Sequence, residues 1–317
     1  MLHQPLNLTS QLPWETNLTI TKAGPNLPGV SIVIPIYNAG KFLEKTLRSL
    51  LCNDLSGCEV ILIDGGSNDN TSLIINHYKQ MFDICISEKD EGQSDAINKG
   101  FALSKKPLLY WLNGDDIILP NTLTLVRQYF AIHEDANVVV GNAFMTELDF
   151  KPIRHFIFSE EKLKFDYLID YASNHLIQPS VFFTKKAWAF SGPLKKTLHY
   201  AMDADLFIGM SKHFPFHYLD CDLAYSVYHE ECKTRGKRSE SITELAIVQA
   251  LHGGFESARK TLDILVDMYN ELENRIESEK KSTECYKCNV IDGKLKAITL
   301  EYKKNMDLAL MAEIEIE

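Results

Sequence analysis

This sequence has no run of 18 apolar residues, no charged leader passing into an apolar segment, and no excess of positive charge. The first two absences leave no spanning helix and no secretory signal to read. The third argues against a nucleic-acid binder, which needs a basic face: 33 Lys plus Arg stand against 43 Asp plus Glu, a formal net charge of −10. A small phosphorylated ligand stays open, because a metal neutralises its charge locally. Cysteine is sparse and shows no framework. The seven, at 52, 58, 85, 221, 232, 285 and 288, are odd in number and several sit in apolar runs. They read as reduced thiols in a reducing compartment. Only Cys285-x-x-Cys288 has metal-like spacing, and a lone pair without a second supports zinc poorly. Also missing is G-x-G-x-x-G after the first strand, where "YNAGKF" (37–42) stands; this disfavours a dinucleotide-dependent oxidoreductase.

What is present is an alternation. The 317 residues are 45% apolar, enough for a sizeable core. "VSIVIPIY" (30–37), "CEVILID" (58–64), "DICISE" (83–88), "PLLYWLN" (107–113) and "NVVVGN" (137–142) are apolar runs of strand length, the pattern of strands buried on both faces. Between them lie segments with helical spacing, "AGKFLEKTLRSLL", "NDNTSLIINHYKQ", a stretch from about Ser94 to Ser104, and "PNTLTLVRQYFAIH". Strand and helix in turn predict an α/β fold whose sheet binds ligands beyond the carboxyl ends of its strands. From about 143 to 230 the pattern is mixed, with strand-like "RHFIF", "SVFF", "FHYLD" and "AYSVYH" and helical "MDADLFIGMSKHF". Beyond about 239 it is helical, and Phe255, Ala258, Leu262, Leu265, Tyr269, Leu272 and Ile276 step by threes and fours like a heptad seam.

The predicted strand ends are polar: Tyr37 and Asn38, Asp64 to Ser67, Glu88 to Glu91, and Asn113 to Asp116. Each cluster has a plain reading beside its functional one. Asp64-Gly65-Gly66-Ser67 suits a tight turn as well as backbone approach to a ligand. "SEKDEGQSDAINKG" (87–100) places Asp90, Glu91 and Asp95 around Gly92, ahead of a helix that they also suit as caps. In "LNGDD", Asp115 and Asp116 offer hard oxygen ligands for Mg2+ or Mn2+, which also take diphosphate oxygens; the plain reading is a type I turn. Asp203 and Asp205 open a helix, where they complement its dipole, or one of them is a general base. His229 ends a strand near the basic Lys233 and Arg235; a lone His is more often structural than a ligand.

Taken in order, "SIVIPIYNAGKFLEKTLRSLL", "VILIDGGSNDNT", "SEKDEGQSDAINKGF", "YWLNGDDIILP", "QPSVFF", "HYAMDADLFIGM" and "YHEECKT" closely resemble family-2 glycosyltransferases, over about residues 29 to 236. The resemblance implies a GT-A fold, with a Rossmann-like nucleotide-binding half and an acceptor half around one continuous mixed sheet, here followed by a helical C-terminal extension. It implies a nucleotide-diphospho-sugar donor, a divalent metal (Mn2+ or Mg2+), and single displacement with inversion at the anomeric carbon. Pro35, Tyr37 and Asn38 then look like the nucleoside-contacting end of the first strand. Asp64 with Gly65, and Asp95, look like the donor site. Asn113 and Asp115 fall on the Asp-x-Asp motif of the family, with Asp116 just after. Asp203 matches the catalytic base, and His229 a late metal-site or donor-site position. Two departures stand out: Gly65 replaces a second carboxylate that contacts uracil in many members, so a UDP-sugar is a lean, and Met202 stands where many have Glu.

The implied domains are 1–28, an N-terminal extension; 29–236, the glycosyltransferase domain; and 237–317, mainly helical. The implied partners are a nucleotide-sugar donor and a glycan, lipid-linked or small-molecule acceptor, in surface polysaccharide or glycoconjugate synthesis. No nucleic acid is expected. The setting is cytoplasmic, with peripheral association at the inner membrane face and a homodimer through the C-terminal helices as open possibilities. The alternatives are a metal-dependent nucleotidyltransferase and a non-catalytic sugar-nucleotide-binding or assembly protein.

Overall fold

The computed structural model describes residues 4–7 and 11–280, so Cys285 and Cys288 lie outside the described residues. Strands β1 (Val30–Ile36), β2 (Glu59–Asp64), β3 (Ile84–Ser87) and β4 (Leu108–Trp111) alternate with helices α1 (Leu43–Leu51), α2 (Thr71–His77) and α3 (Gln93–Leu103). The short β5 (Ile117–Ile118), α4 (Thr122–Ile132), β6 (Val138–Thr146) and β7 (Pro152–Phe156) follow, then the one-turn α5 (Phe165–Leu168) and α6 (Tyr171–Asn174). The chain continues through β8 (Val181–Thr184), α7 (Lys185–Ser191), α8 (Met202–Ser211), β9 (Phe216–Val227), α9 (Lys233–Gly236), α10 (Arg238–Leu251) and α11 (Phe255–Lys280).

One mixed sheet runs in the order β3-β2-β1-β4-β8-β6-β9-β5, with β7 on β6. The first four strands are parallel, and β8 enters antiparallel to both β4 and β6. Side-chain alternation divides the core. Val33, Ile61, Ile63, Leu109 and Trp111 face one layer, while Ile32, Ile34, Leu62, Leu108 and Tyr110 face the other. Both layers are apolar, which is why the sequence shows continuous runs rather than alternation.

"FHYLD" and "AYSVYH" are not two strands but one, β9, paired in parallel with β6. The stretch from Asp220 to Asp222 marks a bulge: the register shifts around Asn142, and a Cβ on Gly141 would lie 2.3 Å from Leu223 Cδ1. β9 runs on to Val227 and delivers His229 to the end of the sheet that carries the polar turns.

Described residues before Gly29 pack against the sheet and its helices. Leu12 is buried with Cys52, Ile117 and Val227, and Glu15 forms a buried ion pair with Arg48 of α1. Packing places the residues up to Ala258 in one compact unit, with a second starting at Arg259. The limits 29–236 and 237–317 follow the reach of the resemblance; by packing, α10 belongs with the residues before it, against α6 and α8.

Candidate functional site

The turns after β1, β2, β3 and β4 meet at a cleft of about 720 Å³, closed on one side by the segment after β9. Pro35, Tyr37, Asn38, Gly65, Asn113, Asp115 and His229 all line it. A volume of this order suits a nucleotide-sized ligand. Asn38 adopts φ 49°, its N–H donating to Ser67 Oγ at 2.7 Å and its Oδ1 accepting from the Asn68 N–H at 2.9 Å. It thereby ties the first two turns together and leaves Tyr37 exposed beside the cleft.

Three expected carboxylates do not line the cleft. Asp64 is buried, with Oδ1 accepting from the Ser67 N–H at 3.0 Å and from its hydroxyl, and Oδ2 from Ser87 Oγ; it fastens β2 to β3. Asp95 pairs with Lys196 at 2.7 Å, and that ammonium holds its carboxyl below the usual range. Asp116 is buried, accepting from the Val227 N–H at 3.2 Å and from Asn113 Nδ2 at 3.0 Å. Burial, and then the neighbouring Asp115, push its carboxyl well up, and its contact with the Val227 N–H anchors the turn before β5 to the end of β9. The cleft has another carboxylate instead, Asp90. A Cβ on Gly65 would lie 2.7 Å from Asp90 Oδ2, so Asp90 occupies space that a side chain at 65 would need.

Asn113 is fully engaged. Its Oδ1 accepts from Gln93 Nε2 at 2.9 Å, and its amide donates to Asp116 and, at 3.1 Å, to Gln178. These contacts hold the β4 turn, with Asn113 and Asp115 both lining the cleft. Asp115 Oδ2 lies 3.1 Å from His229 Nε2, and the imidazole stacks on Phe42 with ring centroids 4.1 Å apart. His229 Nδ1 is buried without a hydrogen-bond partner among the described residues. Ligand atoms of Asp115, His229 and Cys232 all fall within 4.8 Å of one another. Such a mixed oxygen, nitrogen and sulfur set fits a divalent ion. Lys89 and Lys233 also line the cleft and supply positive charge; the Arg235 side chain lies outside the described residues.

Of the two aspartates on α8, the structure separates one from the other. Against the upward push of burial, His252 at 3.0 Å and Lys195 at 2.9 Å hold the Asp205 carboxyl below its ordinary value. Asp203 pairs with no cation among the described residues. Burial pushes its carboxyl up to about 6, opposed by the Ala204 N–H at 2.8 Å, with the charge of Glu244 adding to the rise and the Tyr171 hydroxyl close by. One turn on, Phe207 stacks parallel to Trp111 of β4, centroids 6.0 Å apart, which turns this face of α8 toward the strand leading to Asp115. Asp203 itself is not among the cleft-lining residues.

Sequence reasoning missed Gln93, Gln178, Cys232 and Glu244. The spacing His229-x-x-Cys232 was a visible signal, as metal-like as that of Cys285 and Cys288. Nothing local marks Glu244. From α10, its carboxylate accepts the N–H groups of His199 at 2.7 Å, Tyr200, and Ala201 at 2.7 Å, fixing the entry to α8 just ahead of Asp203. Met202, where a carboxylate is common in the look-alikes, is buried in the core.

The chain is similar to known proteins. A family model described as glycosyl transferase family 2 matches residues 31–188. The chain is 30% identical over 118 residues to the glycosyltransferase GlyG of Streptococcus pneumoniae, covering 36% of this chain and 39% of that protein. It is 26% identical over 221 residues to a chondroitin synthase of Escherichia coli, covering 65% of this chain and 30% of that one. A PGL/p-HBAD biosynthesis glycosyltransferase of Mycobacterium bovis is 31% identical over 128 residues, covering 39% of this chain and 50% of that one. The chain thus spans half the length, or less, of these curated relatives. Among solved structures, residues 1–349 of S. aureus TarS superpose with a TM-score of 0.54 at 17% identity, covering 69% of this chain and 65% of that one. This likeness bears on the fold, a GT-A-like mixed sheet.

Proposed function

We propose that this chain, whose residues 31–188 place it in glycosyltransferase family 2, transfers a sugar from a nucleotide-diphospho-sugar to an acceptor hydroxyl with inversion. The observation that carries this reading is the pairing of Asp115 with His229 at one end of a nucleotide-sized cleft. Tyr37 and Asp90 would meet the nucleoside, and Lys89 and Lys233 would offset diphosphate charge. A divalent metal, when bound at Asp115 and His229, supplies electrostatic stabilisation of the negative charge that grows on the leaving diphosphate. Asp203 takes the proton of the acceptor hydroxyl while that oxygen bonds to the anomeric carbon and the bond to the diphosphate breaks.

A uridine donor is supported by two things: TarS has been crystallised with UDP and with UDP-GlcNAc, and Asp90 brings a carboxylate to the place left by Gly65. The chondroitin synthase and the PGL/p-HBAD enzyme among the relatives support a role in polysaccharide or glycoconjugate synthesis. No helix among the described residues is long and apolar enough to cross a membrane, and a site of action at the inner face of the membrane is part of the proposal. So is a dimer through the heptad-spaced residues of α11.

The test is a thermal-shift panel of nucleotide-sugars with and without Mn2+, followed by product analysis. One donor should stabilise the protein only with metal, by about 2.7 kcal/mol at a hundredfold excess over its Kd, and Asp115→Asn should abolish that shift. Release of the nucleoside diphosphate with sugar on the acceptor marks a glycosyltransferase; transfer of the nucleotide marks a nucleotidyltransferase. A panel in which no donor shifts the protein, or in which Asp115→Asn responds like the native chain, sinks the proposal.

A further inference from the structure

The metal position carries more than a carboxylate and an imidazole. Cys232 follows His229 by three residues in "HEEC", and the turn folds back so that Cys232 Sγ accepts the His229 backbone N–H at 3.2 Å. In a second contact the thiol donates to Val227 O at 3.5 Å, which keeps the sulfur against the end of β9. The three ligand atoms, from Asp115, His229 and Cys232, already lie within 4.8 Å of one another, and the Asp115–His229 edge is 3.1 Å. Four-coordinate zinc, with bonds of about 2.0 Å to nitrogen or oxygen and about 2.3 Å to sulfur, places its ligand atoms roughly 3.3–3.6 Å apart. The Asp115–His229 edge is close to that spacing, and the other two edges are no longer than 4.8 Å.

The surroundings suit an ion. His229 is 6% exposed and its ring is fixed by the stack on Phe42, with Nε2 turned to Asp115. Asp115 is the more open member and lines the cleft with His229. Three protein ligands leave a fourth position for water or a phosphate oxygen. Mg2+ is poorly served by sulfur, whereas zinc binds it well.

We propose that Cys232 is the third protein ligand of this site, and that without nucleotide the site takes Zn2+ in preference to Mn2+ or Mg2+. The proposal rests on reading Asp115 and His229 as metal ligands, and does not need the transfer reaction. On binding, the sulfur–zinc bond forms and the thiol proton leaves to solvent. The cleft then holds a thiophilic ion where a nucleotide diphosphate would bring a harder one, so Zn2+ should compete with Mn2+ for the same place.

The experiment uses the full chain after treatment with chelator, titrated with Co2+ as an optical stand-in for Zn2+. The native protein should show a sulfur-to-cobalt charge-transfer band in the near ultraviolet that Zn2+ abolishes at one equivalent. Both Cys232→Ser and His229→Ala should lose the band, and Cys232→Ser should lower the ratio of Zn2+ to Mn2+ affinity by at least about 10-fold. Melting of each metal-free variant close to the native chain shows that the fold is kept; if His229→Ala fails this check, Asp115→Asn takes its place. A native protein without the band, a band that survives in Cys232→Ser, or an unchanged affinity ratio overturns the proposal. Donor binding is read separately: an intact band with no response to any nucleotide-sugar sinks the proposed function and leaves the zinc site standing.

Discussion

Replacing Asp203 by Asn should make the protein inactive and more stable. The carboxyl is raised from 3.8 to about 6, mainly by burial, so the native state holds the proton more tightly than the unfolded chain does. Ionisation therefore costs the native state nothing below about pH 4 and the full amount above about pH 6. A shift of about 2 pH units corresponds to about 3 kcal/mol. Asn keeps the shape and, like the protonated acid, offers the Ala204 N–H a neutral acceptor; the effect of that contact on the charged form is already contained in the value of about 6. The net gain is about 3 kcal/mol at about pH 8, shrinking through about pH 6 and gone near about pH 4. Urea unfolding of the two proteins at these three pH values measures it, with the slopes compared so that only changes in midpoint are counted. Turnover should fall by about 10²–10⁴, the usual contribution of a general base, and native turnover should drop with acid through about pH 6. An Asp203→Asn variant that is no more stable than the native chain in mild alkali would refute the burial argument. One that still turns over would refute the assignment of the base.

Three further outcomes follow from the packing. Glu244→Gln removes the charge that helps raise Asp203 and weakens three N–H contacts at the entry to α8. The acid limb of the rate profile should move to lower pH and stability should fall by about 1–3 kcal/mol; an unmoved limb would reduce Glu244 to a structural cap. Gly65→Ala puts a Cβ 2.7 Å from Asp90 Oδ2, so donor affinity, followed by calorimetry, should weaken by about 10-fold. Adding Asp90→Ala should then cost less than it does alone, because contacting sites are not additive. Gly100→Ala on α3 drives a Cβ to 2.4 Å from Val33 Cγ1 of β1, an overpacking that should destabilise by about 1–3 kcal/mol in urea unfolding and be partly relieved by Val33→Ala.

β1, β2 and β4 were legible because each is covered on both faces and so reads as an unbroken apolar run, as "SIVIPI" does. β9 was not, since its polar middle belongs to a bulge beside Gly141 and looks locally like a turn. At the site, residue type could be read but partnership could not. Asp64, Asp95 and Asp116 sat at the right places in the chain, yet Ser87, Lys196 and Val227, all distant in sequence, decide where their carboxylates go. Cys232 and Glu244 escaped for the same reason, as their meaning comes from groups brought up by the fold.

In a chain with 43 acidic residues, the presence of a carboxylate therefore distinguishes little; its compensation distinguishes more. Asp205, paired with Lys195 and His252, is held in its charged form and gains little by accepting a proton. Asp203, two residues away and facing no cation among the described residues, is held at about 6 and can accept one near neutral pH. A group that must take up a proton during reaction has to be left uncompensated by the fold, and that cost to stability is the physical mark by which Asp203 stands apart from its neighbour.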